Sequence, residues 1–236
     1  MSRIGRASRV IGLLAILVAV SIPLGFAANV SAHHPKSPGS YLHSIRSVSQ
    51  TEQYCVDDYY TTLSFATVLD RIRATLIVER TDVNWDMKQG GYTDFRTTWD
   101  YPCRSLNSST TPTRAEIELE YHVQDTIQEP ACGGTSCAVH FGSTWSGPYG
   151  RTEYQYYNIY LRGSLISADG DVRRHVVNHE TGHALGLADG YAPDCPSPAS
   201  VMHPSYYGCG STNVPWPSLG GDHPTVNKLI LGQAWP

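Results

Sequence analysis

The chain has 236 residues, with 17 Lys and Arg against 21 Asp and Glu and a formal net charge of −4. So little charge, with a slight acidic excess, leaves no electrostatic footprint for nucleic acid. Tyr is frequent (15) and Lys scarce, which suits an extracellular surface without proving one.

Arg3, Arg6 and Arg9 precede an apolar run from Val10 to about Ala28, broken by Pro23, and Val30 and Ala32 fit the small-residue rule at a cleavage site. The pattern predicts a signal peptide over residues 1–32, cut after Ala32, and a secreted, extracellular product. An uncleaved anchor is the competing reading, because the run is nearly long enough to span a bilayer. No other run in the sequence is apolar enough, so no membrane association is expected once the signal is removed. A mature chain of about 200 residues suits one domain with its own core.

Residues 33–56 are polar and broken by Pro and Gly, and read as a flexible N-terminal segment. His33 and His34 read as a solvated pair rather than a metal site. The domain proper is expected over 57–236. Phe65, Val68, Leu69, Ile72, Leu76 and Ile77 recur at helical spacing and predict a helix over Leu63 to Arg80. The β-branched tail "TLIVERTDV" could instead be a strand. Residues 105–113 read as a loop, with Asn107-Ser108-Ser109 forming a glycosylation sequon. "AEIELEYHV", "CAVHFGS" and "YQYYNIYL" alternate as strands do. Strands flanked by helices imply a mixed α/β domain.

All six cysteines lie beyond the signal, so three disulfides are expected in an oxidising compartment. Proximity favours Cys132–Cys137 and Cys195–Cys209, which leaves Cys55–Cys103. No CxxC spacing supports a zinc–cysteine site.

From Asp171 to Leu187 the chain reads "DVRRHVVNHETGHALGL". Ser167 and Asp169 are candidate N-caps, and Asp171 puts negative charge in the first turn. Val172, Val176, His179 and His183 share one helical face, so both imidazoles aim at one point, as two ligands of one zinc ion must. Glu180 flanks that point and can take a proton from a metal-bound water. Gly186 is placed to end the helix in a left-handed turn. Asp189, six residues past His183, then comes into reach as third ligand. In a chain of this composition HExxH alone arises by chance on the order of once in a hundred, and the further Gly and acidic positions make the pattern about a hundredfold rarer.

"HETGHALGLAD" resembles the metzincin zinc endopeptidases, whose signature is HExxHxxGxx followed by His or Asp, and within them the snapalysins, which use Asp. "SVMHP" (Ser200 to Pro204) is similar to their Met-turn, with Met202 as an apolar floor beneath the metal. Their disulfide lies in a place comparable to Cys195 and Cys209, and "GDHPTVNKLILGQ" resembles their closing C-terminal helix. The resemblance implies a metzincin-like α/β (α+β) fold: a mixed, mostly parallel twisted sheet with an antiparallel edge strand, an active-site helix, a Met-turn and a C-terminal helix. It also implies a zinc endopeptidase acting on proteins or peptides as a monomer. His179, His183 and Asp189 would hold Zn²⁺, and Glu180 would be the general base. "CAVHFGS" is the candidate edge strand along which substrate lies.

Asp194 and His203 are rivals to Asp189. Pro204 stands where some metzincins carry a Tyr that assists the oxyanion, so Tyr206 and Tyr207 read as pocket walls. Cys55 as an inhibitory thiolate yields to a disulfide half. Ca²⁺ is a secondary cofactor candidate at Asp169 and Asp171, where helix capping explains the acidic pair equally well. A third ligand from a later Glu fails, because no Glu follows Glu180. The alternative outside catalysis is a secreted protein that binds zinc for stability.

Overall fold

The structure, a computed structural model, describes residues 40–42, 51–82, 86–89, 102–111, 113–146, 152–168, 170–187 and 201–202. The strands are β1 (Ser40–Leu42), β2 (Thr51–Tyr60), β3 (Asp86–Gln89), β4 (Leu119–Gln124), β5 (Cys137–Ser146) and β6 (Thr152–Arg162). The helices are α1 (Phe65–Asp82), α2 (Gly163–Ser167) and α3 (Gly170–Ala184).

The strands form one mixed, mostly parallel sheet. β2 lies between β3 and β4, and β4 joins β2 to β6, all in parallel. β1 runs parallel to the start of β6, with Ser40 opposite Thr152. β5 is the one antiparallel member among the described strands; it pairs with β6 from Cys137↔Tyr160 to Ser146↔Thr152, with a register shift between Phe141 and Thr144. The strand read as a candidate edge from "CAVHFGS" is therefore present, and β6 is its partner in the sheet.

Alternation within the strands sorts side chains onto two faces. Tyr54, Val56, Leu119, Tyr121, Val123, Tyr157, Ile159 and Leu161 meet the helices in the main core, against Val68, Leu69, Ile72 and Leu76 of α1, Ile166 of α2 and Val176 and Val177 of α3. Leaving water contributes roughly 1.5–3 kcal/mol for each large apolar side chain, which fixes the helices to this face. The other face carries a smaller cluster of Cys55, Cys103, Leu106 and Ile117. The Cys132–Cys137 disulfide expected from proximity and the Cys55–Cys103 pair left by elimination are both formed. The third expected pair, Cys195–Cys209, lies outside the described residues.

Several expectations shift. The segment read as flexible through residue 56 gives up Thr51–Val56 to β2, where Tyr54, Cys55 and Val56 are buried. The "TLIVERTDV" tail is helical to Asp82, because the stripe from Val68 to Leu76 continues a helix already capped by Ser64, whose Oγ accepts from Thr67 N at 3.3 Å. β4 starts later than the alternation of "AEIELEYHV" suggests. A capping box closes a short turn at Arg114–Glu116 first, with Thr113 N donating to Glu116 Oε2 at 2.6 Å. Ser167 is not the cap of α3; its hydroxyl turns back to Gly163 O at 2.9 Å and closes α2. Among the described residues, no helix is long and apolar enough to cross a membrane.

Candidate metal centre

α3 follows β6 through the single turn of α2, and Arg71 of α1 steadies that turn by donating to Ile166 O at 2.8 Å. From this start α3 carries His179 and Glu180 side by side and His183 one turn further on. Their ligand atoms lie within 4.8 Å of one another. His179 and Glu180 are buried and His183 is half-buried. The two imidazole rings stand edge to face, with centroids 4.8 Å apart.

What orients the rings is backbone. His179 Nδ1 lies 3.0 Å from Val201 O, and His183 Nδ1 lies 2.9 Å from Leu187 O. A carbonyl can only accept, so each Nδ1 carries a proton, and in the neutral ring the lone pair is then on Nε2. That tautomer can ligate a metal through Nε2, with the Nδ1–carbonyl bond fixing the ring.

The Leu187 carbonyl arrives through the helix end. Gly186 has φ 90, Gly186 N donates to His183 O at 3.0 Å and Leu187 N donates to Gly182 O at 2.9 Å. This is a Schellman close, and the left-handed residue expected at Gly186 is present. Val201 and Met202 form a turn and are fully buried in the main core. The stretch read as a Met-turn thus presents a carbonyl to His179 and packs its thioether among apolar side chains.

Asp189, the expected third ligand, lies outside the described residues, as do Asp194, His203, Tyr206, Tyr207 and the C-terminal helix. Of the acidic pair considered for calcium, Asp169 is likewise outside; Asp171 is exposed and lies 3.8 Å from Arg174, so nothing among the described residues supports a calcium site.

Two features escape the motif. His175, one turn before His179, is buried, and its ring centroid lies 5.7 Å from that of His179. Its signal was the repeat of the four-residue histidine spacing. Thr181 donates to Val177 O at 2.7 Å and meets Tyr121 Oη at 2.8 Å, for which the sequence holds no signal, since the partners are 60 positions apart. On the opposite sheet face a cavity of about 420 Å³ is lined by Arg114, Glu120 and Asn158 among others. Glu120 there is already paired with Arg114 at 2.6 Å, so its carboxylate is neutralised.

No family model matches the chain, and no curated protein matches it in sequence. Among solved structures it is similar to archaemetzincin from Methanopyrus kandleri, at 15% identity and a TM-score of 0.33, covering 78% of this chain and 95% of that one. The snapalysin resemblance of the motif finds no support in these comparisons.

Proposed function

We propose that this protein is a secreted zinc-dependent endopeptidase. The observation that carries the reading is the paired Nδ1–carbonyl bonding of His179 and His183, which turns both lone pairs of an HExxH helix into metal donors beside a buried carboxylate. The ring-to-ring geometry and the Nδ1–carbonyl bonds, which leave Nε2 to ligate, fit zinc, which takes imidazole nitrogens at about 2.0–2.1 Å. His179 and His183 hold the ion, and Asp189 serves as third ligand, six residues on and just beyond the Schellman turn.

Zinc, when bound, supplies Lewis-acid polarisation and lowers the pKa of water. The protein's own part is positioning and proton transfer. Glu180 takes a proton from the water whose oxygen attacks the peptide carbonyl carbon. As the C–N bond breaks, Glu180 returns that proton to the leaving amine nitrogen. The substrate is a protein or peptide in extended form, adding main-chain hydrogen bonds along β5. The enzyme acts as a monomer.

The test is casein clearing or cleavage of a quenched peptide, with and without chelator, beside zinc analysis. Glu180→Ala should keep the zinc and lose activity by roughly 10²–10⁴-fold. His183→Ala and Asp189→Ala should lose zinc itself. Full activity in Glu180→Ala would remove the general base, and undiminished zinc in Asp189→Ala would remove the third ligand.

A further inference from the structure

We infer that Tyr121 and Thr181 form a rotational lock that sets where the metal-facing side of α3 points, and that both are positioning residues of the candidate centre. The inference rests on the zinc reading given above. Thr181 is the residue between Glu180 and Gly182, inside the motif itself. It stands two residues from each histidine, so it lies about 200° around the helix from both, on the side turned to the sheet.

There it joins a directed chain. The Thr181 hydroxyl hydrogen goes to Val177 O at 2.7 Å, so at the 2.8 Å contact Tyr121 must be the donor. Tyr121 belongs to β4, in the middle of the sheet, paired in register with Val56 and Ile159. Its ring is fully buried and braced edge-on against Tyr54 at 5.8 Å. A directional bond thus ties the back of α3 to the middle strand of the sheet.

Apolar burial is non-directional, whereas a hydrogen bond fixes an angle, so the Tyr121–Thr181 contact adds a rotational constraint to the packing of Val176, Val177 and Ala184. The consequence of a turn about the axis is large at the rim. With side chains reaching about 5–6 Å from the axis, a 10° rotation moves a rim atom by about 1 Å. A metal or catalytic constellation needs its groups held within about 0.5 Å.

The experiment compares Tyr121→Phe, Thr181→Val, the double variant and Thr181→Ser in the mature chain. Zinc affinity is measured by chelator competition, the visible spectrum with Co²⁺ in place of zinc, and kcat and KM on a quenched peptide. Tyr121→Phe and Thr181→Val should each weaken zinc about tenfold, in the range of other residues that orient metal ligands. Each should lower kcat about tenfold at nearly constant KM and shift the Co²⁺ bands. The double variant should be no worse than either single one, and Thr181→Ser should stay within about twofold of wild type. Variants that lose thermal stability but keep zinc affinity, Co²⁺ spectrum and kcat would reduce the bond to ordinary packing and overturn the lock. If Tyr121→Phe does not fold, Thr181→Val against Thr181→Ser decides the same question. If the wild type holds zinc and cleaves nothing, the peptidase reading falls, while affinity and spectrum still decide the lock.

Discussion

At the scale of single residues, a histidine's usefulness depends on which nitrogen keeps its proton. His179 and His183 settle that with two carbonyls, Val201 O and Leu187 O, rather than with carboxylates. A backbone carbonyl fixes the ring's orientation and leaves Nε2 as the atom that faces the candidate ion. A different residue carries a pH liability. Glu118, just before β4, accepts from Gln53 N at 2.7 Å, yet burial pushes its carboxyl from 4.5 up to about 7, outweighing that hydrogen bond. The folded state therefore holds this proton more tightly than the unfolded chain does. Stability from Glu118 is full below about pH 4.5 and is lost as pH rises through about 7, by roughly 3 kcal/mol at most. Urea unfolding of wild type and Glu118→Gln should show the variant gaining on wild type between pH 4.5 and pH 8, since Gln keeps an acceptor for Gln53 N and carries no charge to desolvate. Parallel midpoint curves across that window would mean the carboxylate is solvated in the folded protein.

At the scale of elements, the end of α3 does two tasks with one turn. The positive φ of Gly186 both closes the helix and delivers the carbonyl that His183 leans on. A Cβ at this left-handed position costs about 1–2 kcal/mol. Gly186→Ala should therefore lower the unfolding free energy by about that amount and, unlike a remote surface change, weaken zinc severalfold by displacing Leu187 O. A stability loss with unchanged zinc affinity would uncouple the two tasks.

The same element shows what a sequence can and cannot reveal. α3 was legible because a four-residue histidine spacing and a helix-ending glycine are local properties of the chain. β6 was legible because its buried positions alternate with half-buried and exposed ones, while β5, half-buried at its start and exposed along its second half, was read from its residue types alone. β2 was not. "TEQYCVDDYY" carries the buried polar residues Glu52 and Asp57, and their burial depends on β3 and β4, which the chain supplies only later. The carbonyls of Val201 and Leu187 leave no trace in side-chain identity at all, so the clustering of His179, Glu180 and His183 could be read while the groups that orient the two rings could not.

At the scale of the whole molecule, the sheet separates the candidate metal centre from bracing. The helix side carries His179, Glu180 and His183. The far side carries the Cys55–Cys103 disulfide, packed with Leu106 and Ile117, and Arg104 beside it pairs with Asp57 and Asp58. That disulfide closes a loop of 48 positions, and a cross-link of this span restricts the unfolded chain by about 4 kcal/mol in the chain-entropy account. Replacing both cysteines by alanine should lower Tm by roughly 8–16 °C, taking 2–4 °C per kcal/mol for a chain of this size. The proposed zinc site should barely register the change, because His179, Glu180 and His183 lie on the helix side of the sheet. At 25 °C the folded double variant should bind zinc within about twofold of wild type, and saturating zinc should raise both Tm values by similar amounts through mass action. A Tm change of only 1–2 °C would show that the 48-residue loop is already held by its own packing. A zinc affinity that fell along with Tm would show that the two faces are coupled through the central strands, and the division of labour across the sheet would have to be given up.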